Sequence, residues 1–227
     1  MTNHSEINKG RNVVYNFLSK SLLDIPDSRY MGMFEDLHRY LLELLSNSEN
    51  EDMKTAGETI KIFRKKNILQ EDKSQDEVIL DLSKEYTRLF YLGIHSVPIC
   101  ESVYLSPVKT NMQEQWEEVK KTYAENNFTP ENKGNKPEDH ISFELLFMSF
   151  LSQKASTAAE QNDGNELTHI YQKQQAFMEE HLLKWIDDLC ERILSVSDKE
   201  NSLYAGIALF LRGYLHEDYK FLSDMTL

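Results

Sequence analysis

Glycine and proline are scarce in this sequence. Its 227 residues include 8 glycines and 5 prolines, about half the usual share. Because β-sandwiches and β-barrels need many turns rich in these residues, such folds are disfavoured. The sequence also lacks the motifs G-x-G-x-x-G and G-x-x-x-x-G-K, which disfavours dinucleotide-binding folds and P-loop NTPases.

Basic residues are also few, with 25 against 38 acidic residues and a net charge of −13. Nucleic acids and anionic membranes are bound through clustered lysine and arginine, so we expect no nucleic-acid partner. The charge instead favours a cationic partner such as a basic peptide. No apolar run approaches the ~20 residues of a membrane span, and the start of the sequence lacks the apolar region of a secretory signal. We therefore expect a cytoplasmic protein without stable membrane insertion.

Cysteine is nearly absent, since only Cys100 and Cys190 are present. They are far apart and form no Cys-x-x-Cys motif. We interpret both as unpaired thiols in a reducing compartment.

Helical periodicity extends along nearly the whole chain. Nine segments repeat apolar residues at i, i+3, i+4 and i+7. They are residues 13–22, 30–45, 53–63, 78–90, 112–123, 141–151, 167–178, 182–193 and 203–214. Asp27 and Ser28 are cap candidates before the second segment. The pattern predicts an all-α protein, a helical bundle of about nine or ten helices.

Two segments interrupt this pattern. Residues 93–109 carry Pro98 and Pro107 and are apolar without a helical stripe, which predicts an irregular loop with a packing or binding purpose. Residues 126–137 are polar and contain two prolines and a glycine. We expect either a single domain over 1–227 or two subdomains, 1–126 and 138–227, joined by a hinge at 127–137.

Two candidate enzyme centres are present but weakly supported. Glu35 with His38, and Glu166 with His169, have the Glu-x-x-His spacing of di-metal bundles. At about 100° per residue neither pair points inward, so we interpret them as solvated helix faces and expect no metal or other cofactor. Cys100 with a histidine could form a thiol enzyme, but no local signature indicates one.

The run Pro137-Glu138-Asp139-His140 is typical of a helix start. Asp139 can cap the helix, and the acidic pair suits its N-terminal dipole. His140 is then not required for capping. We expect it to be partly exposed, where it could bind a peptide carbonyl or titrate near neutral pH.

Three segments together resemble the TorD/DmsD family of redox-enzyme maturation chaperones, whose broader clan includes the nitrate reductase chaperones. The first is Glu85-Tyr86-Thr87-Arg88-Leu89-Phe90 with Val97-Pro98 and Glu101-Ser102-Val103-Tyr104-Leu105-Ser106. The second is Pro137-Glu138-Asp139-His140 with Glu144-Leu145-Leu146-Phe147-Met148. The third is Phe177-Met178-Glu179-Glu180-His181-Leu182-Leu183-Lys184-Trp185. The chain departs from the family pattern at Cys100, often an aromatic residue, and at Lys184, often proline.

The resemblance implies a TorD-like, non-enzymatic helical chaperone in the cytoplasm. Such proteins bind an apo-molybdoenzyme of the dimethyl-sulfoxide or trimethylamine-N-oxide reductase type, through its twin-arginine signal peptide or its mature part. They hold it for cofactor insertion before export, as a monomer or homodimer. The family is also linked to guanine nucleotides, which the lack of a P-loop disfavours here. The peptide-binding or hinge residues that it implies are Pro98, Cys100, Glu101, Ser102, Tyr104, Leu105, Pro137, Asp139, His140 and Glu144.

Several of these residues also have a purely structural interpretation. Tyr86 and Phe90 lie on an apolar stripe and are expected in the core, and His181 and Trp185 are expected to be structural. Glu144 follows His140 by one helical turn and could only orient its ring. Two other functions stay open: an α-helical metal- or thiol-dependent enzyme, and a helical regulator or scaffold with an unrelated partner.

Overall fold

The computed structural model of the protein describes residues 3–70, 72–93, 96–130, 133–198 and 201–226. Within these ranges the chain forms ten α-helices and no β-strand, which confirms the predicted all-α class. The helices are α1 (His4–Leu23), α2 (Ser28–Asn47), α3 (Glu51–Phe63), α4 (Gln75–Phe90), α5 (Glu101–Leu105), α6 (Glu114–Glu125), α7 (Ile141–Glu160), α8 (Gly164–Glu180), α9 (Ile186–Val196) and α10 (Leu203–Thr226). A π-helical turn (Arg64–Ile68) continues α3, and a 3₁₀ turn (Leu182–Lys184) precedes α9.

Side-chain caps fix where several helices begin. Asp27 accepts the backbone N–H of Tyr30 at 2.9 Å, so it caps α2 as predicted. Ser74 and Glu77 form a reciprocal capping box at the start of α4. Each such cap contributes about 1 kcal/mol by pairing a backbone donor that the helix leaves free.

The structure differs from the predicted pattern in segments 93–109 and 182–193. The segment 93–109, expected to be irregular, contains α5, which is too short to show a helical stripe. The segment 182–193, expected as one helix, is divided at Trp185 between the 3₁₀ turn and α9. Ile94 and His95, also part of the predicted loop, lie outside the described residues.

The chain divides into two compact units, each built from separate stretches of sequence. Unit 1 is Met1–Leu22, Ile99–Trp185 and Asp218–Leu227, and unit 2 is Leu23–Pro98 and Ile186–Glu217. These limits differ from the expected subdomains 1–126 and 138–227. Residues 127–137 belong to unit 1, and 131–132 among them are not described. A hinge at 127–137 stays a prediction.

Unit 1 is organised around α7. The first turns of α7 are buried on nearly all sides, which is typical of a central helix. It packs against α8, and its Phe147 contacts Phe177 of α8 and Tyr123 of α6, with ring centroids 4.8 and 5.0 Å apart. The short helix α5 packs against α6.

Unit 2 is built from α2, α3, α4, α9 and the first part of α10. Helices α3 and α10 approach closely at Gly213, where a Cβ atom would lie 2.7 Å from Cγ of Met53. Tyr86 and Phe90 of α4 pack with Tyr204 of α10, with ring centroids 5.7 and 5.8 Å from it. Both α4 rings are buried, so their predicted core position is confirmed.

No helix in the described part of the chain has the length and hydropathy needed to span a bilayer.

Candidate functional site

The second part of the first motif segment, Glu101 to Ser106, meets the second motif segment within unit 1. The Glu101 backbone N–H donates to the Asp139 carbonyl oxygen at 2.9 Å, and the Ile141 N–H donates to the Ile99 carbonyl oxygen at 2.9 Å. Between these bonds, Cys100 and His140 form an isolated antiparallel bridge. The start of α5 is therefore fixed to the start of α7.

Asp139 binds α5 rather than capping α7. Its Oδ2 atom accepts the Ser102 backbone N–H at 2.9 Å and also the Ser102 hydroxyl. Both side chains are buried. Burial raises the pKa of Asp139, while the two bonds from Ser102 oppose that rise. The prediction that Asp139 caps the following helix is wrong, because its carboxylate accepts hydrogen bonds from Ser102 of α5 instead.

His140 is the residue that caps α7. Its Nδ1 atom accepts the Ser142 backbone N–H at 3.2 Å, and its ring packs on Phe143 with centroids 5.5 Å apart. The side chain is buried, so the predicted partial exposure is wrong. Burial, and then the charge of Lys136, lower the pKa of His140 to about 3, which keeps the ring neutral and able to accept this bond at pH 7.

The third motif segment joins the same site through His181. His181 directly follows the last residue of α8 as its C-cap. Its Nδ1 atom lies 3.0 Å from Oε2 of Glu101. Both side chains are buried, which confirms the structural interpretation of His181. Burial raises the pKa of Glu101, and His181 counteracts it.

Glu144 lies fully buried beside these groups, and neither of its carboxyl oxygens has a hydrogen-bond partner of ordinary geometry. Its polar neighbours are the carboxyls of Glu101 and Asp139 and the indole of Trp185, and burial raises its pKa well above the usual value. No hydrogen bond joins the Glu144 carboxyl to the His140 ring, so the expected contact that would orient this ring is not formed. We name Glu101, Asp139, Glu144 and His181 the buried carboxyl cluster.

The other predicted site residues surround this cluster or lie apart from it. Tyr104 is buried against Trp185, with ring centroids 5.1 Å apart, and Trp185 is itself buried as expected. Cys100 is buried and free, and burial raises the pKa of its thiol. Leu105 and Pro137 are half-buried in unit 1, whereas the half-buried Pro98 belongs to unit 2.

Two features of unit 1 were not predicted from the sequence. Met112 was expected on the apolar stripe of the fifth helix, but it precedes α6 and is exposed, as is Val108. The two prolines of segment 93–109 and the two polar residues directly before Met112 could have indicated that Met112 lies in a loop. Arg11 and Asp218 form a buried ion pair, with Nε to Oδ1 at 2.6 Å, for which no local signal exists.

The candidate enzyme centres receive no support from the geometry. Among the described residues, no group of three or more His, Cys, Asp or Glu side chains is arranged to hold a metal ion. Glu35 pairs with Arg64 at 2.8 Å, while Glu166 and His169 are exposed on α8. Cys190 is buried within unit 2, and burial raises the pKa of its thiol.

Comparison with protein families agrees with the motif interpretation. The model of the nitrate reductase delta subunit family matches residues 40–191, a range that contains all three motif segments and the buried carboxyl cluster. The chain therefore belongs to the nitrate reductase delta subunit family, which is a family of molybdoenzyme assembly chaperones. The resemblance to redox-enzyme maturation chaperones is thereby confirmed. No individual curated protein matches the sequence significantly.

Proposed function

We propose that this protein is a cytoplasmic chaperone for a molybdoenzyme of the dimethyl-sulfoxide or trimethylamine-N-oxide reductase type. It binds the apoenzyme, keeps it available for cofactor insertion and delays twin-arginine export until insertion is complete. The observation that carries this proposal is the family match over residues 40–191, because it covers all three motif segments, including the parts of them that lie in unit 1.

The signal peptide of the client is the first element that we propose it recognises. A twin-arginine leader combines a basic region with an apolar region, and a protein with a net charge of −13 attracts the basic part. The partner is thus a protein, and we propose neither a nucleic-acid partner nor insertion into a membrane. The chaperone acts as a monomer or homodimer and holds no cofactor of its own.

We also propose that the protein is not an enzyme. Asp139 and His140, which could perform acid–base chemistry, are buried and hold helices together, Asp139 at α5 and His140 at α7. In this proposal their function is to shape unit 1, and binding is the activity of the molecule.

The test begins with the client. The tagged protein is purified from anaerobically grown cells, and the co-purifying proteins are identified by mass spectrometry and assayed for molybdopterin. We expect the large subunit of one molybdoenzyme without its cofactor. Recovery of only the cofactor-loaded enzyme, or of no molybdoenzyme, would contradict the proposal.

Leader recognition is then tested by calorimetry with the synthetic leader of that enzyme. We expect a dissociation constant on the order of micromolar or lower, with association that weakens in high salt. A leaderless client is the matched control, since it reports binding to the mature part alone. Absence of saturable heat with the leader would contradict leader recognition.

A further inference from the structure

The loop between α5 and α6 exposes apolar side chains. Val108 is 62% exposed and Met112 is 51% exposed. Among the described residues of unit 1, these are the only large hydrophobic side chains with such exposure. Because both lie within one stretch of five residues, they form a local apolar patch rather than scattered surface residues.

The backbone of this loop adopts a conformation that is uncommon for residues with side chains. Lys109 has φ of 53° and Met112 has φ of 58°, both in the left-handed region. The Lys109 N–H donates to the Ser106 carbonyl at 3.2 Å, and its ammonium donates to the Tyr104 carbonyl. These bonds fix the backbone from Tyr104 to Lys109, and the side chains of Val108 and Met112 are exposed on the loop.

Unpaired carboxylates follow directly along α6. Glu114 and Glu118 are exposed and, one turn apart, share a helix face. In the described structure neither forms an ion pair, whereas Glu117 of the same helix pairs with Lys120 at 3.2 Å. An apolar patch is therefore followed within a few residues by two available negative charges.

We propose that this surface, the loop Pro107–Met112 with Glu114 and Glu118, docks the junction between the basic and apolar regions of the client's leader. The proposal rests on the proposed function and locates it on unit 1. Glu114 and Glu118 bind the arginine side chains, and Val108 and Met112 cover the first apolar residues. Charge complementarity selects such a peptide over a neutral or acidic one.

The buried carboxyl cluster makes this surface rigid. Ser102 is held by Asp139, and Glu101 by His181, so the start of α5 is fixed and the loop follows from an anchored helix. A preformed surface loses less conformational entropy on binding. The motif residues then position the docking surface without touching the peptide.

The experiment measures fluorescence anisotropy of a labelled peptide with two adjacent arginines followed by a leucine- and alanine-rich segment. The full chain is compared with Val108→Ser/Met112→Asn and with Glu114→Gln/Glu118→Gln. Asparagine is chosen at 112 because it tolerates the left-handed backbone. Matched controls remove equivalent exposed groups elsewhere: Leu69→Ser/Leu80→Ser for the apolar pair, and Glu43→Gln/Glu180→Gln for the charges.

We expect the apolar double variant to bind about tenfold more weakly at all salt concentrations. The charge double variant should bind about three- to fivefold more weakly at low salt and like wild type at high salt. The controls should bind like wild type, and circular dichroism should show unchanged melting for all four variants.

Equal binding by wild type and both surface variants would overturn this location while leaving leader recognition intact. Failure of wild type to bind the peptide would overturn leader recognition and this location with it. Sedimentation of each variant completes the test. A wild-type dimer that the Val108→Ser/Met112→Asn change dissociates would show that the surface binds a second copy, which also overturns the proposal.

Discussion

The Nδ1 atom of His140 accepts the backbone N–H of Ser142 at 3.2 Å, and the ring that makes this bond is 3% exposed. A histidine accepts at Nδ1 only when that nitrogen carries no proton. The cap of α7 therefore depends on a neutral imidazole, which burial maintains by lowering the pKa of His140 to about 3.

Replacing His140 should destabilise the protein more than expected for the partly exposed, non-capping residue that the sequence predicts. We expect His140→Ala to lower the free energy of unfolding by about 2 kcal/mol, since it removes both a cap and buried packing. His140→Asn restores a capping acceptor and should lose about half as much. Urea unfolding at pH 7 measures both. Equal losses for alanine and asparagine would show that the cap contributes nothing.

The same residue should make the protein sensitive to acid. Between pH 6.5 and about 3 the unfolded chain protonates His140 while the folded chain does not, so wild type loses stability as the pH falls. Asparagine does not titrate. We therefore expect His140→Asn to gain on wild type by up to about 1 kcal/mol per pH unit across this window. Parallel stability curves for the two proteins would contradict this.

Asp139 should be essential to the position of α5. Asp139→Ala leaves the buried N–H and hydroxyl of Ser102 without their acceptor, which should cost about 2–3 kcal/mol of unfolding free energy. Asp139→Asn keeps one acceptor oxygen and should cost about 1 kcal/mol. The exposed Asp224→Ala, also in unit 1, is the control and should stay within about 0.5 kcal/mol of wild type. If Asp139→Ala matched that control, the bonds to Ser102 would have no energetic role.

Glu144 should make the protein less stable as the pH rises. In the folded chain its pKa is raised well above the usual value of 4.5 by burial and by its neighbours Glu101 and Asp139. Above pH 4.5 the folded chain binds the extra proton, so stability falls as the pH increases. Glu144→Gln removes this titration. We expect the glutamine variant to gain stability relative to wild type between pH 5 and pH 8, measured by urea unfolding, and a constant difference would refute the assignment.

The buried ion pair of unit 1 should not tolerate loss of one partner. Asp218→Ala leaves the buried Arg11 guanidinium without its carboxylate and should lower the unfolding free energy by about 3–5 kcal/mol. Glu58→Ala breaks the exposed pair with Lys61 and should change it by less than about 1 kcal/mol. Thermal melting of the two variants provides the comparison, and similar midpoints would contradict it.

Local signals allowed most of the helices to be predicted, because each long helix carries its own apolar period. The start of α2 is an example, since Asp27 and the stripe beginning at Tyr30 are neighbours in sequence. Helix α5 has no such signal. Its five residues complete barely more than one turn, and the helix is held by Asp139, 37 residues beyond Ser102.

The site was predictable as a set of motif residues but not as a geometry. Asp139 and His140 are both able to cap a helix, and the local sequence favours aspartate. Which of the two caps α7 depends on Ser102. Its backbone N–H donates to the Asp139 carboxylate, so His140 is the residue that caps α7. Likewise, the contact between Glu101 and His181 joins residues 80 positions apart, a separation across which no local pattern is informative.

The pair of Arg11 and Asp218 joins the first helix to a residue that is synthesised much later. Their side chains are 207 positions apart and belong to the same unit. The first helix therefore leaves the ribosome long before its buried arginine can meet the aspartate that neutralises it. Unit 1, which carries the buried carboxyl cluster, reaches its final packing only after residue 218 has emerged. A nascent chain that has not yet reached residue 218 therefore lacks one of the two charges that lie buried together in the finished unit.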